Sequence, residues 1–192
     1  LVETGRNLGY AGGNNVGIRW ALARGTEYVL IINNDTIVNA GLLNGFIRAA
    51  ELVPEAGIYG AKIFHENAPD RLWFAGGEWC PDQLEFKHVG GDQPDSREFD
   101  GYRQWDYLTG CVLFVDARVF TEVGLFDEKF YLTYEETDWC YRARQKGFRC
   151  LFVPEAMVWH KVSASFGGAA SPLITYFLTR NKLLWARNHL GA

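Results

Sequence analysis

The chain has only four cysteines, Cys80, Cys111, Cys140 and Cys150, and no two of them form a C-x-x-C pair. That spacing argues against a zinc site and a dense disulfide framework, and it fits reduced thiols in a cytosolic protein. Positive charge is in short supply as well: 19 basic side chains stand against 23 acidic ones, a net charge of −4. No global basic field is available to grip nucleic acid, and no local basic patch replaces it. Apolar runs such as Tyr28–Ile32 fall far short of the roughly 18 to 20 residues of a membrane span. No signal-peptide pattern opens the sequence, and there is no internal repeat or low-complexity tract. Gly12-Gly13 matches neither G-x-G-x-x-G nor G-x-x-x-x-G-K-[ST], which excludes the Rossmann and P-loop readings.

What is there suffices for one α/β domain spanning residues 1–192, with 48% hydrophobic residues for a core. Aromatics reach 15%, seven of them tryptophan, which suggests flat apolar faces for a ligand. The first residue is Leu1 and not methionine, so the chain is expected to be a piece of something longer.

Asn7 to Asn15 is rich in turn residues and reads as a loop, followed by a helix over Val16 to Arg24 that Gly25 stops. Tyr28–Ile32 is a short β-branched run ending in Asn33-Asn34-Asp35-Thr36, the pattern of a buried strand delivering polar groups at its carboxyl end. Gly41 to Leu52 is an amphipathic helix, and Gly57 to Phe64 is a further strand. This alternation predicts a mixed, mostly parallel sheet flanked by helices, with ligands beyond the strand ends. Residues 66–105 read as a variable region of hairpins and a long loop over the sheet. Strands are expected at Tyr107 to Val115, Cys150 to Val153 and Ala156 to Trp159, and helices at Arg118 to Val123 and Thr137 to Lys146. A C-terminal helix occupies 172–190.

Three places could carry chemistry. Asp35 follows the buried strand, where its carboxylate would suit a hard divalent cation, although Asn34-Asp35-Thr36 would equally serve as a turn. Glu135-Glu136-Thr137-Asp138 opens a helix. Thr133-x-x-Glu136 fits a capping box and Asp138 can pair with Arg142, yet three acids exceed what a cap requires, and one could accept a proton from a hydroxyl nucleophile. His160 ends a strand and precedes a small loop with Ser163 and Ser165; imidazole, carboxylate and a ligand phosphate would together suit manganese or magnesium.

The order of these segments is more specific than any one of them. Asn7-Leu8-Gly9-Tyr10-Ala11-Gly12-Gly13-Asn14-Asn15, Asn33-Asn34-Asp35, Thr109-Gly110-Cys111 before Gly124-Leu125-Phe126-Asp127-Glu128, Tyr134-Glu135-Glu136-x-Asp138, and His160 follow in turn. Together they resemble the family 2 glycosyltransferases of the GT-A fold, and within them the rhamnosyltransferase-like bacterial enzymes that build surface polysaccharides. The resemblance runs from Glu3 to about Ser165 and extends to Arg180-Asn181. It implies that an N-terminal strand-helix-strand segment precedes this region in full-length relatives.

The resemblance also implies roles. Asn7, Gly9, Asn14, Asn33, Asn34, Asp35 and Arg180 would face the nucleotide-diphosphate sugar, with Asp35 and His160 holding Mn2+ or Mg2+. Asn33 stands where the family usually has a first acid. Glu136 would be the general base, with Glu135 and Asp138 as substitutes. Thr109, Gly110, Trp79 and Trp105 would meet the acceptor, with Trp73 as a further candidate. The reaction would be inverting transfer from a dTDP- or UDP-sugar to a hydroxyl of a saccharide or lipid-linked saccharide. It would proceed in the cytoplasm, with peripheral contact at the membrane face left open and no nucleic acid involved. Two other readings stand beside it. A sugar nucleotidyltransferase would need a Gly-rich, Arg/Lys-bearing N-terminal loop that this chain does not show, and a non-catalytic carbohydrate-binding or scaffold domain would keep only the fold and the aromatics.

Overall fold

The computed structural model of the chain describes residues 1–161 and 171–191. The elements run α1 (Gly9–Leu22), β1 (Tyr28–Ile32), β2 (Thr36–Val38), α2 (Leu42–Leu52), β3 (Gly57–His65), β4 (Ala68–Phe74), β5 (Gly77–Cys80), β6 (Glu85–His88), β7 (Arg103–Trp105), β8 (Val112–Asp116), α3 (Ala117–Val123), α4 (Glu135–Gln145), β9 (Arg149–His160) and α5 (Pro172–His189). The main sheet has the order β1-β8-β3-β9-β2, with β4 also on β3 and β7 also on β9. The loop after His160 that holds Ser163 and Ser165 lies outside the described residues.

The sheet is mixed, as expected, but among the described residues only β3 and β9 pair parallel. The reason lies in β8. The α2 crossover does carry β1 and β3 in one direction, but β8 inserts between them, antiparallel to both. The C-terminal ends of β1, β3 and β9 therefore share one edge of the sheet with the start of β8.

β3 is buried along nearly its whole length because both faces are covered, and its run of Gly, Ile, Tyr, Ala and Phe matches a central strand. α2 packs closely on β9: a Cβ on Gly45 would lie 3.1 Å from the Ala156 nitrogen. On the other side Trp139 of α4 is fully buried, stacks on Phe120, and donates its indole N–H to Gly124 O at 2.8 Å. The two strands expected around Pro154 are one strand. Its register jumps from Ala61↔Val153 to Lys62↔Met157, so Pro154–Ala156 sit in an irregularity that spares the proline a ladder bond.

The Gly- and Asn-rich opening is helical, not a loop. Each glycine costs a helix about 1 kcal/mol relative to alanine, so tertiary contacts must outweigh propensity. Gly9 takes φ +70°, and a side chain there would strike Tyr131 O at 2.5 Å. Tyr10 N donates to Tyr131 O at 2.8 Å. Asn15, fully buried, donates through Nδ2 to Phe126 O and accepts from Phe126 N. Residues 66–105 form β4, the β5–β6 hairpin and β7. The buried ammonium of Lys62 fastens the connecting loop, lying 2.9 Å from Asp95 Oδ1 and 3.3 Å from Asp100 Oδ1.

Candidate active site

A cavity of about 610 Å³ opens at the shared strand edge, lined among others by Tyr10, Asn33, Trp73, His88, Gly110 and Glu136. Ile32 pairs with Val112, and just beyond them Asn33 N donates to Cys111 O at 2.9 Å. That bond sets Asn33-Asn34-Asp35 beside Thr109-Gly110-Cys111. Burial raises the Cys111 thiol pKa, and the charges of Asp35 and Glu136 raise it further, so both carboxylates act on the same point of the strand edge.

Asp35 and His160 come together. Asp35 Oδ1 lies 3.2 Å from His160 Nε2, and Lys161 N donates to Asp35 O at 3.0 Å. Neither Asp35 Oδ1 nor the buried His160 Nδ1 has a hydrogen-bond partner among the described residues. Burial lowers the His160 pKa against the pull of Asp35, which favours the neutral imidazole that can ligate a metal. Its ring meets Trp73 edge-on at 4.6 Å, which ties this pair to the cavity wall. Among the described residues no third His, Cys, Asp or Glu joins them.

Glu135 and Glu136 form the start of α4 and both line the cavity. Gly110 N donates to Glu136 Oε1 at 3.4 Å, while Glu136 Oε2 and Glu135 Oε2 are buried without partners among the described residues. Burial raises both carboxyl pKa values. The neighbouring charge of Glu136 adds to the rise at Glu135, and backbone N–H groups partly offset it at Glu136. The expected capping box does not form: the N-cap is Tyr134, in a left-handed conformation, without a side-chain cap bond. Tyr10, which carried no role in the sequence reading, donates its phenol to Gly110 O and so braces the loop under Glu136.

The family model described as "Glycosyltransferase like family 2" matches residues 6–173 of the chain. The chain belongs to this family. Among curated glycosyltransferase relatives, the low-salt glycan biosynthesis hexosyltransferase Agl10 of Haloferax volcanii is 27% identical over 76% of the chain and 46% of its own length. The dTDP-rhamnosyl transferase RfbF of Shigella flexneri is 24% identical over 99% of the chain and 64% of its own length. The N-acetylglucosaminyl-diphospho-decaprenol L-rhamnosyltransferase of Mycobacterium tuberculosis is 26% identical over 87% and 60%. The chain thus spans about half to two thirds of these relatives. The structure of GalNAc-T7 with UDP, GalNAc and Mn2+ superposes with a TM-score of 0.60 at 16% identity, covering 81% of the chain and 31% of GalNAc-T7. It shows that this glycosyltransferase-family chain has the GT-A fold.

Other residues singled out in this glycosyltransferase sequence fall elsewhere. Asp138 is buried away from the cavity lining, with Oδ2 at 2.7 Å from Arg142 Nε and Oδ1 at 2.6 Å from His189 Nε2. Trp79 and Trp105 line a different cavity, of about 650 Å³, with Tyr141 and Arg144; Trp73 is the tryptophan on the wall near Glu136. Arg180 donates to Lys129 O and Asn181 Oδ1 and does not line the cavity. Asn7 accepts from Gly9 N, and Asn14 donates to Tyr10 O, so both shape the entry to α1. Asn34 is exposed in the turn beside Asp35. Thr109, in contrast, does line the cavity, buried and with Cys111 N donating to its hydroxyl at 3.4 Å. His88 lines the cavity against Trp73, and no sequence pattern singled it out.

The raised carboxyl pKa values have a consequence for stability. In the folded state Glu135 and Glu136 hold their protons more tightly than in the unfolded chain, so their contribution is full below the ordinary glutamate pKa and is lost as pH rises through the raised values. Glu135→Gln is therefore expected to raise the melting temperature at mildly alkaline pH and to leave it nearly unchanged at acidic pH. Thermal unfolding of both proteins across pH checks this, and an equal shift at all pH values would count against it.

Proposed function

We propose that the cavity beside Glu136 is the transfer centre of an inverting, metal-dependent glycosyltransferase that moves a sugar from a dTDP- or UDP-sugar to a saccharide hydroxyl. The observation that carries this reading is that the Asn33 N to Cys111 O bond sets the Asp35–His160 pair at the strand edge that also carries Gly110, whose N–H holds Glu136. Surface polysaccharide synthesis is the fitting context, given relatives named as rhamnosyl and hexosyl transferases.

The residues fit a divalent cation. Asp35 Oδ1 and His160 Nε2 are 3.2 Å apart, close to the about 3 Å between adjacent ligands around a small divalent ion. One carboxylate and one imidazole suit an ion that completes its shell with phosphate oxygens and water. When bound, the cation neutralises charge on the leaving diphosphate. Glu136 Oε2 accepts the proton of the acceptor hydroxyl as that oxygen attacks the anomeric carbon, and the bond from that carbon to the diphosphate oxygen breaks on the opposite face. Gly110 N holds Oε1 and leaves Oε2 for the proton, and a carboxyl with a raised pKa is a stronger acceptor at neutral pH. Glu135 beside it keeps the site acidic, and Trp73 offers an aromatic wall to a sugar.

The acceptor reading includes lipid-linked saccharides, on the cytoplasmic face of a membrane. No helix of the described residues is long and apolar enough to cross a bilayer, but α5 exposes Leu173, Tyr176 and Leu183 and carries no acidic residue, which supports peripheral contact. Calorimetric titration of the full-length protein with UDP- and dTDP-sugars, with and without Mn2+, tests the donor assignment. Binding that strengthens with Mn2+ is expected; nucleotide binding indifferent to the metal would remove the cation from the account.

A further inference from the structure

The segment that leads into the two glutamates is strained. Tyr131, Thr133 and Tyr134 have φ of +64°, +65° and +69°, a region that side-chain-bearing L-residues avoid. Three such residues among four consecutive positions do not hold that path unaided. Tyr134 is also the N-cap of α4, so the path of this segment decides where Glu135 and Glu136 emerge.

One side chain spans the segment. Asn181, in the middle of α5 and fully buried, directs Nδ2 at three backbone carbonyls: Phe130 O at 2.9 Å, Leu132 O at 2.7 Å and Thr133 O at 2.8 Å. Its Oδ1 accepts from Arg180 Nη1 at 2.7 Å, and the same guanidinium nitrogen donates to Lys129 O at 2.9 Å. Asparagine is a poor choice for a helix interior, and a buried carboxamide is tolerated only when its donors and acceptor are matched. Here its two N–H hydrogens are shared among three carbonyls of the left-handed segment, of which Phe130 O also accepts from Leu132 N at 2.7 Å. Other contacts come from Tyr131 O, which accepts from Tyr10 N at 2.8 Å, and from the Tyr131 ring, which stacks on Phe177 at 5.5 Å.

We propose that Asn181 is a positioning residue for transfer: through three carbonyls it fixes the turn that sets Glu136 against Gly110. The inference rests on the reading of Glu136 as the proton acceptor. It gives the Arg180-Asn181 pair a structural task on the acid-bearing loop in place of contact with the diphosphate.

The test compares Asn181→Asp, Asn181→Leu and Asn181→Gln in the full-length protein, with Glu136→Gln assayed in parallel. Aspartate keeps the shape but turns an oxygen toward three carbonyls; leucine removes the donor; glutamine keeps the carboxamide one methylene further out. The expected result is a kcat at least about tenfold lower for the Asp and Leu variants, with the donor KM within about twofold, and an intermediate kcat for Gln. A kcat within twofold of the parent, or loss of kcat and donor affinity in proportion, overturns the positioning role. If the Asp and Leu proteins do not fold, the Gln variant decides: a selective drop in kcat supports the proposal, and unchanged kcat refutes it. Inactive Glu136→Gln alongside fully active Asn181 variants defeats this inference alone. Active Glu136→Gln defeats the base reading and this inference with it.

Discussion

Glu136→Gln is expected to lower kcat for sugar transfer by about 10²- to 10⁴-fold, the usual contribution of a positioned general base, equivalent to about 3 to 5 kcal/mol of barrier. Glutamine keeps the volume and an acceptor for Gly110 N, so the loop and the cavity are retained while the proton acceptor is lost. Donor affinity should therefore stay near that of the parent. Folding should not suffer, because burial of this carboxylate is unfavourable at neutral pH. Transfer rate and donor affinity measured on one preparation check both halves. Undiminished turnover would move the role first to Glu135, whose Oε2 is buried in the cavity without a partner among the described residues, ahead of Asp138, which is held by Arg142 and His189.

Asp35→Asn should act on the other half of the reaction. The substitution keeps an oxygen and removes the charge that the proposed cation site draws on beside His160. In the presence of Mn2+, donor affinity is expected to fall by about 100-fold or more, at or beyond the upper end of the 10- to 100-fold typical when a group that merely supports a metal ligand is removed. Without metal, the parent and the variant should bind nucleotide equally weakly. His160→Ala should follow the same pattern. Calorimetry with and without Mn2+ separates this from a general loss of the site, and an Asp35→Asn protein that keeps its metal-dependent gain would place the cation elsewhere.

That Asp35 and His160 would approach one another was legible because one follows a strand closely and the other ends one. A β-branched run followed by Asn-Asn-Asp, and a second strand ending in His160, point to the same sheet edge once the fold is α/β. The run of acids pointed to the helix start that lines the cavity, and only the family resemblance singled out Glu136 within it. What local pattern could not supply was pairing across the fold. Asp138 looks like its neighbours in sequence, and only the return of α5 brings His189 to it. The helix over Gly9–Leu22 reads as a loop until Tyr131 and Phe126 are in place to hold Gly9, Tyr10 and Asn15. Trp79 and Trp105 carry the same aromatic signal as Trp73, but a hairpin and an outer strand send them to another cavity. The mostly parallel sheet failed for a similar reason: strand order along the chain does not reveal that β8 would enter between β1 and β3.

Analysis of the transfer product by nuclear magnetic resonance puts the whole scheme to the test. The full-length protein is incubated with Mn2+, a saccharide acceptor and a dTDP- or UDP-sugar that binds in calorimetry. The expected outcome is a new glycosidic bond whose anomeric configuration is opposite to that of the donor, with one nucleoside diphosphate released per bond and no product from the Glu136→Gln protein. A product that keeps the donor's configuration, or equal yield after metal removal, would contradict it.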